Sequence, residues 1–334
     1  MSNTPIDHHY LPQFYLKNFA FTFKKKNYRL YVYDKIHENK ISPKTTKEIC
    51  YEKNRNTLDL HGEKDYFIEK SLGELEGVMA EFVRLTLDYE KLIKNRTISN
   101  KSVLDRSKYL PFSYKIKLRE LLDIPYYARI FNYIISVFYW RLTINDSYFI
   151  QKMGKTTLSE SINNILSENK SIPADISDVH HLLSEMREEI ISFESLIDHN
   201  SIIKIYKSLI HPAKNIFRNP NNKNLILLRT TFSVISSDFP FCIFDNEPSL
   251  DDRFIFIWSP NVIFINNINL DKIDIREFCF KLSLLNYLSA KRYVFSNDKE
   301  LLNNVICYAN MKYNDGDTKK VKDEILKTLT MNKI

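Results

Sequence analysis

The run from His8 to Phe19, HHYLPQFYLKNF, concentrates the groups best suited to chemistry. Imidazoles serve as general acids, general bases or metal ligands near neutral pH. Adjacent histidines in an extended chain point to opposite faces, so His8 and His9 cannot hold one ion by themselves and need a carboxylate from elsewhere. Asp238 is the candidate, because it follows the apolar run Phe232 to Ile235 and precedes Pro240. A carboxylate at the end of a buried strand is held rigidly enough to bind a metal or act as a base. It is equally a turn former that accepts backbone N–H groups. Arg141 closes the apolar run Ile130 to Trp140, where a guanidinium must meet a carboxylate or an anionic ligand. The expected constellation is therefore His8 or His9 as acid or base, Asp238 on a divalent metal ion, and Gln13 and Arg141 on phosphate.

Other pairs are weaker. Glu69 and Glu76 share a helix face but lie roughly 10 Å apart along the axis, too far to bridge one ion. His181 and Glu185 stand at i and i+4 and lack a third ligand. No GxSxG, GxGxxG, P-loop or PD-(D/E)xK pattern occurs, and the 5 glycines leave little for a phosphate-cradling loop. Cys50, Cys242, Cys279 and Cys307 are scattered without a CxxC pair, which points to a reduced, cytoplasmic setting rather than a disulfide framework.

Charge is uneven. The chain carries +7 overall, yet residues 91 to 119 hold nine Lys or Arg against Asp105 alone, a local +8. Tyr109, Phe112 and Tyr114 interleave with these bases. Cations for phosphates and rings for bases suit a single-stranded nucleic acid, and Lys101, Arg106, Lys108, Tyr109, Lys115 and Lys117 are the candidate contacts. A solvated basic loop is the plain alternative. Residues 168 to 198 are the acidic counterweight, with eight acids against Lys170 and Arg187.

The elements that would position these groups follow from periodicity. Tyr28 to Tyr33 alternates as a strand, and the motif before it reads as an extended segment. From Tyr66 the spacing of Ile68, Leu72, Leu75, Met79 and Phe82 predicts a helix to about Tyr89. A second helix is expected over Tyr126 to Tyr148, and others over 155 to 217, ending at Pro212 or Pro220. Five short runs then read as strands: Leu225 to Leu228, Phe232 to Ile235, Phe241 to Phe244, Phe254 to Trp258 and Val262 to Ile265. Ile275 to Leu288 is helical, Arg292 to Phe295 a strand, and the end from Thr318 a helix. The expected fold is α+β in a single domain over 1–334, a helical middle third packed with an N-terminal extended segment or hairpin and a C-terminal, mostly antiparallel sheet. At 44% hydrophobic the chain can build a core. The N-terminus has no signal-peptide pattern, and Ile130 to Trp140 is about half the ~20 residues of a membrane span, so no membrane partner is expected.

The opening motif also resembles the bacterial proteins grouped as domain of unknown function 4238, whose members begin with a close variant of HHYVPQFYLRNF. The resemblance rests on His8, His9, Tyr10, Pro12, Gln13, Phe14, Tyr15, Leu16, Asn18 and Phe19, with Leu11 and Lys17 as departures. Leu30 to Lys35, the Ile68 to Glu76 helix, Arg141, Ser236 to Pro240, Ser259-Pro260, Asn286 and Arg292 to Ser296 look similar in order. It implies shared polar positions and no established activity. Two function classes stand: a metal-dependent phosphodiesterase or nuclease of a defence or toxin type, and a non-catalytic module binding nucleic acid or protein. In either, the aromatic motif is expected to dock on the C-terminal strands and bring its histidines toward Asp238 as one polar site.

Overall fold

The computed structural model describes residues 6–21, 27–60, 62–77, 122–153, 157–168, 184–185, 187–188, 194–217, 225–245, 248, 251–268, 270, 274–313 and 317–330. The basic stretch 91 to 119, and with it Lys101, Arg106, Lys108, Tyr109, Lys115 and Lys117, lies outside them, as does His181. In chain order the elements are β1 (Asp7–His9), α1 (Gln13–Lys17), β2 (Arg29–Asp34), β3 (Glu38–Thr45), β4 (Tyr51–Lys53), β5 (Leu58–Leu60), β6 (Glu63–Asp65) and α2, described over 67–77. Next come α3 (Pro125–Trp140), α4 (Asp146–Met153), α5 (Leu158–Glu168), α6 (His199–Ile205), a π turn (Tyr206–Ile210) and α7 (His211–Phe217). The last third holds β7 (Leu225–Arg229), β8 (Ser236–Ser237), β9 (Phe241–Ile243), β10 (Phe254–Ser259), β11 (Val262–Asn266), α8 (Ile275–Ser289), β12 (Tyr293–Ser296), α9 (Lys299–Lys312) and α10 (Thr318–Thr330). The fold is α+β. Among the described residues no helix is long and apolar enough to cross a membrane.

The chain gathers into two compact units, one of Met1–Ile6, Asn54–Trp140 and Ser147–Asn222, the other of Asp7–Lys53, Arg141–Asp146 and Lys223–Ile334. In the second unit, the described residues form two four-stranded antiparallel sheets, ordered β7-β11-β10-β9 and β3-β2-β12-β8. Every residue of β10 and β11 is buried, as expected of unbroken apolar runs covered on both faces. Helix α1 ties the sheets together. The Tyr15 hydroxyl donates to Ile257 O of β10 at 2.7 Å and meets Ser236 Oγ of β8 at 2.7 Å. Its ring stacks on Phe256, while Phe19 meets Phe295 of β12 edge-on. Asn18 Nδ2 donates to Trp258 O at 3.1 Å. The motif therefore docks on the C-terminal strands, although only its first part is extended. Residues 13–17 are helical, started at Pro12, whose carbonyl accepts from Tyr15 and Leu16. A proline costs a helix nothing there, and five residues are too few to display a helical period.

Two further expectations change in this unit. Phe232 to Ile235 is not a strand, since Val234 N–H bonds Pro260 O and Ile235 N–H turns to Ser283 Oγ on α8. The pairing residues are instead Ser236 and Ser237, which join β12 and so belong to the other sheet.

The first unit is built on helices. Buried Arg129 of α3 donates from Nη1 to Ile216 O and Phe217 O, and Asn132 Nδ2 to Asn215 O, so polar groups of α3 satisfy carbonyls at the end of α7. The expected helix over Tyr126 to Tyr148 breaks after Trp140, where Leu142 is extended and Thr143–Asn145 forms a 3₁₀ turn. Of the two expected ends, Pro212 and Pro220, the helix passes the first and runs to Phe217. Pro212 has no N–H for the Ser208 carbonyl and its ring crowds that oxygen, which fits the widening of Tyr206–Ile210 into a π turn.

Removing the Tyr15 hydroxyl tests the tie between the sheets. Tyr15→Phe leaves Ile257 O and Ser236 Oγ without their buried partner, so urea unfolding should show a loss of about 1–3 kcal/mol with an unchanged slope. A midpoint equal to the parent's would refute the tie.

Candidate functional site

Strand β1 pairs antiparallel with β4, setting His8 opposite Glu52 and His9 opposite Tyr51. His8 is fully buried and His9 half-buried, on alternate faces of the strand. His9 Nε2 lies 3.1 Å from Thr46 O, so in that contact Nε2 carries the proton. Arg141 is buried, and its Nη2 donates to the His9 carbonyl. A backbone oxygen thus accepts a hydrogen bond from the guanidinium that the sequence offered to phosphate. Gln13 opens α1 and is half-buried.

Asp238 follows β8 at 5% exposure. Its carboxylate accepts three backbone N–H groups, from Lys291 at 3.1 Å, Arg292 at 2.8 Å and Tyr293 at 3.1 Å, while its own N–H bonds Tyr293 O. Burial raises its pKa; the three N–H groups and the charge of Lys35 oppose the rise without cancelling it. The arrangement is an anion nest filled by the protein's own side chain, which fixes the entry of β12. Both carboxylate oxygens are engaged by backbone.

Of the motif, Tyr10 stands within the electrostatic reach of Asp238. Burial pushes the Tyr10 hydroxyl far up, and the neighbouring Cys50, Asp238 and Tyr293 add to the shift. Cys50, fully buried at φ +58°, bonds Tyr10, and its thiol is likewise raised by burial and by Asp238. Such a thiol is inert as a nucleophile. Tyr293 is pushed up to about 12, chiefly by burial. Beside these neutral groups sits the ion pair of Arg292 Nη2 with Asp34 Oδ2 at 3.0 Å, with the guanidinium 4.5 Å from the Tyr293 ring centre. Burial raises the Asp34 pKa, but the N–H groups of Ile36 and His37 and the Arg292 guanidinium outweigh it and hold it below the ordinary carboxylate value.

Elsewhere, Glu69 accepts from Asn56 Nδ2 at 2.7 Å, and Glu76 stands one face-repeat along α2. Among the described residues no group of three or more His, Cys, Asp or Glu is placed to hold a metal ion. A cleft of about 670 Å³ lies between the N-termini of α8 and α9, lined by Phe232, Asp274, Arg276, Glu277, Phe280 and Asp298 among others. Its three acids against one arginine do not suit phosphate. Sequence reasoning missed Tyr10 and Cys50 as members of the Asp238 cluster. A tyrosine inside an aromatic run reads as core, and nothing in the sequence marks Cys50 as left-handed. Asp34 and Arg292 did carry a signal, as parts of the segments that resemble the family.

The class defined here is an α+β protein whose N-terminal motif is locked into two antiparallel sheets around a buried aspartate. The family described as Protein of unknown function (DUF4238) matches residues 7–271, and the chain belongs to it. Asn286 and Arg292 to Ser296 lie past the end of that match. No curated protein and no solved structure matches the chain significantly.

Two measurements probe the cluster. Asp238→Ala strips three buried N–H groups of their acceptor and should cost about 1–3 kcal/mol in denaturant unfolding, whereas a dispensable surface carboxylate would cost almost nothing. Asp34 binds its proton less readily folded than unfolded, so its contribution is complete above the ordinary carboxylate pKa of about 4 and fades as the pH falls through its lowered value. The stability difference between the parent and Asp34→Asn should therefore shrink on acidification below about pH 4. A difference that grows there would contradict the assignment.

Proposed function

We propose that this protein is a non-catalytic module that binds single-stranded nucleic acid. The observation that carries the reading is the state of Asp238. A carboxylate whose two oxygens already accept three backbone N–H groups is poorly placed to take a metal ion, and the adjacent Tyr10 and Cys50 are held in their neutral forms. The motif residues then serve architecture, and the function rests on the electrostatics of the chain. Support for nucleic acid comes from the local +8 of residues 91 to 119 with its interleaved tyrosines and phenylalanine.

The alternative, a metal-dependent phosphodiesterase using His8 or His9, Gln13, Arg141 and Asp238, makes an opposite prediction in one assay. A labelled single strand incubated with the protein and Mg²⁺ or Mn²⁺ should stay intact while binding is measured by anisotropy across a salt series. Reversing Lys101, Arg106 and Lys108 to Glu should weaken binding and flatten the log–log salt slope by about two, at roughly 0.7 per phosphate contact on a single strand. An unchanged slope would reduce the stretch to a solvated loop. Cleavage that is lost in folded His9→Ala would replace the binding reading with the enzymatic one.

A further inference from the structure

Helix α4 holds Tyr148 at the surface, 41% exposed, with its ring stacked on Trp140 at 5.1 Å and 26°. Trp140 is itself only 6% exposed and is backed by further rings. Phe149 meets it edge-on at 5.1 Å and His211 at 4.7 Å. His211 is 2% exposed and its ring is fixed from both nitrogens, with Tyr206 Oη 3.2 Å from Nδ1 and Lys214 Nζ 3.2 Å from Nε2. An ammonium can only donate, so Nε2 accepts and the ring proton sits on Nδ1, facing the Tyr206 oxygen.

Two cations border this stack. Lys152 Nζ donates to Tyr148 Oη at 3.2 Å and stands 5.5 Å from the Tyr148 ring centre, and Lys214 Nζ stands 5.9 Å from that of Trp140. Burial lowers the Lys152 pKa, but the oxygens of Tyr206 and Tyr148 outweigh it, so the side chain is charged at neutral pH. A half-exposed tyrosine ring backed by buried aromatics, with ammonium groups beside it, supplies the parts that a sequence-tolerant single-strand site uses: the ring takes a base, and the cations take the adjoining phosphates.

We propose that Tyr148, backed by Trp140 and bordered by Lys152 and Lys214, is a stacking anchor for one base of a single-stranded nucleic acid. The anchor rests on the nucleic-acid reading given above, although it uses none of the residues of the 91 to 119 stretch. An apolar protein partner is the less favoured occupant, because covering the site would desolvate two ammonium groups, whereas a nucleic-acid strand brings phosphates to them.

The test uses the full chain and a fluorescein-labelled oligothymidylate of about twelve nucleotides, within the usual span of single-strand sites. Tyr148→Ala should weaken binding roughly ten- to a hundredfold, whereas Tyr148→Phe, which keeps the ring, should bind nearly as the parent does. Lys152→Gln and Lys214→Gln should each flatten the salt slope by about 0.7. The chain has 2 tryptophans, Trp140 and the buried Trp258, so in a Trp258→Phe background the emission of Trp140 should change as the oligonucleotide is added. Binding by Tyr148→Ala equal to the parent's, or emission of Trp140 that ignores a bound strand, overturns the anchor and leaves the wider reading in place. A parent that binds no oligonucleotide at low salt overturns both.

Discussion

The hydroxyl of Tyr15 is the point on which the second unit depends. One oxygen meets Ser236 of the sheet that contains β12 and Ile257 of the sheet that contains β10, so two separate ladders share a single buried partner. Strand β8 is only two residues long, and Ser236 sits on it fully buried. The aromatic residues around it follow from the same constraint. Phe256 and Phe19 occupy the space that lets a five-residue helix lie between strands, and they contribute apolar burial that so short a helix cannot supply from hydrogen bonds alone.

Strand β12 is held by carboxylates as much as by its neighbours. Asp238 caps the N–H groups at its start, and Asp34 of the paired β2 holds Arg292 just before it. The two acids shift in opposite directions: at Asp238 burial outweighs the three N–H groups and the charge of Lys35, whereas at Asp34 the N–H groups of Ile36 and His37, with the Arg292 guanidinium, outweigh burial. The same comparison explains why a conspicuous acid after a buried strand can be architectural.

Much of this was legible in the sequence. The runs that became β2, β7, β9, β10, β11 and β12 are rich in β-branched and aromatic residues, and α8 shows its helical spacing plainly. The failures share a cause. Helix α1, the two-residue β8 and the break after Trp140 are each shorter than the period by which they would be recognised, and the aromatic run continues across that break through Tyr148 and Phe149. The site was legible in part. Asp238 reads as a turn former or a ligand from the residues alone, and choosing between the two required knowing that the N–H groups of residues 291–293, more than 50 positions away, point at it. Tyr148 gave no sign, because its exposure depends on where α4 starts.

The π turn before Pro212 makes the length of the chain, as distinct from its residue types, a carrier of structural information. In a regular α-helix, five residues advance a side chain by about 100° each and leave Tyr206 and His211 well out of line. The wider turn brings His211 back over Tyr206, where the two meet at 3.2 Å. Winding the same residues as a regular α-helix, with none removed, would rotate all that follows by about 100°. His211 would leave Trp140, and Asn215 would leave Ser136, although no side chain in contact had been changed. The helix behaves as a vernier, in which one surplus residue sets the alignment of two faces.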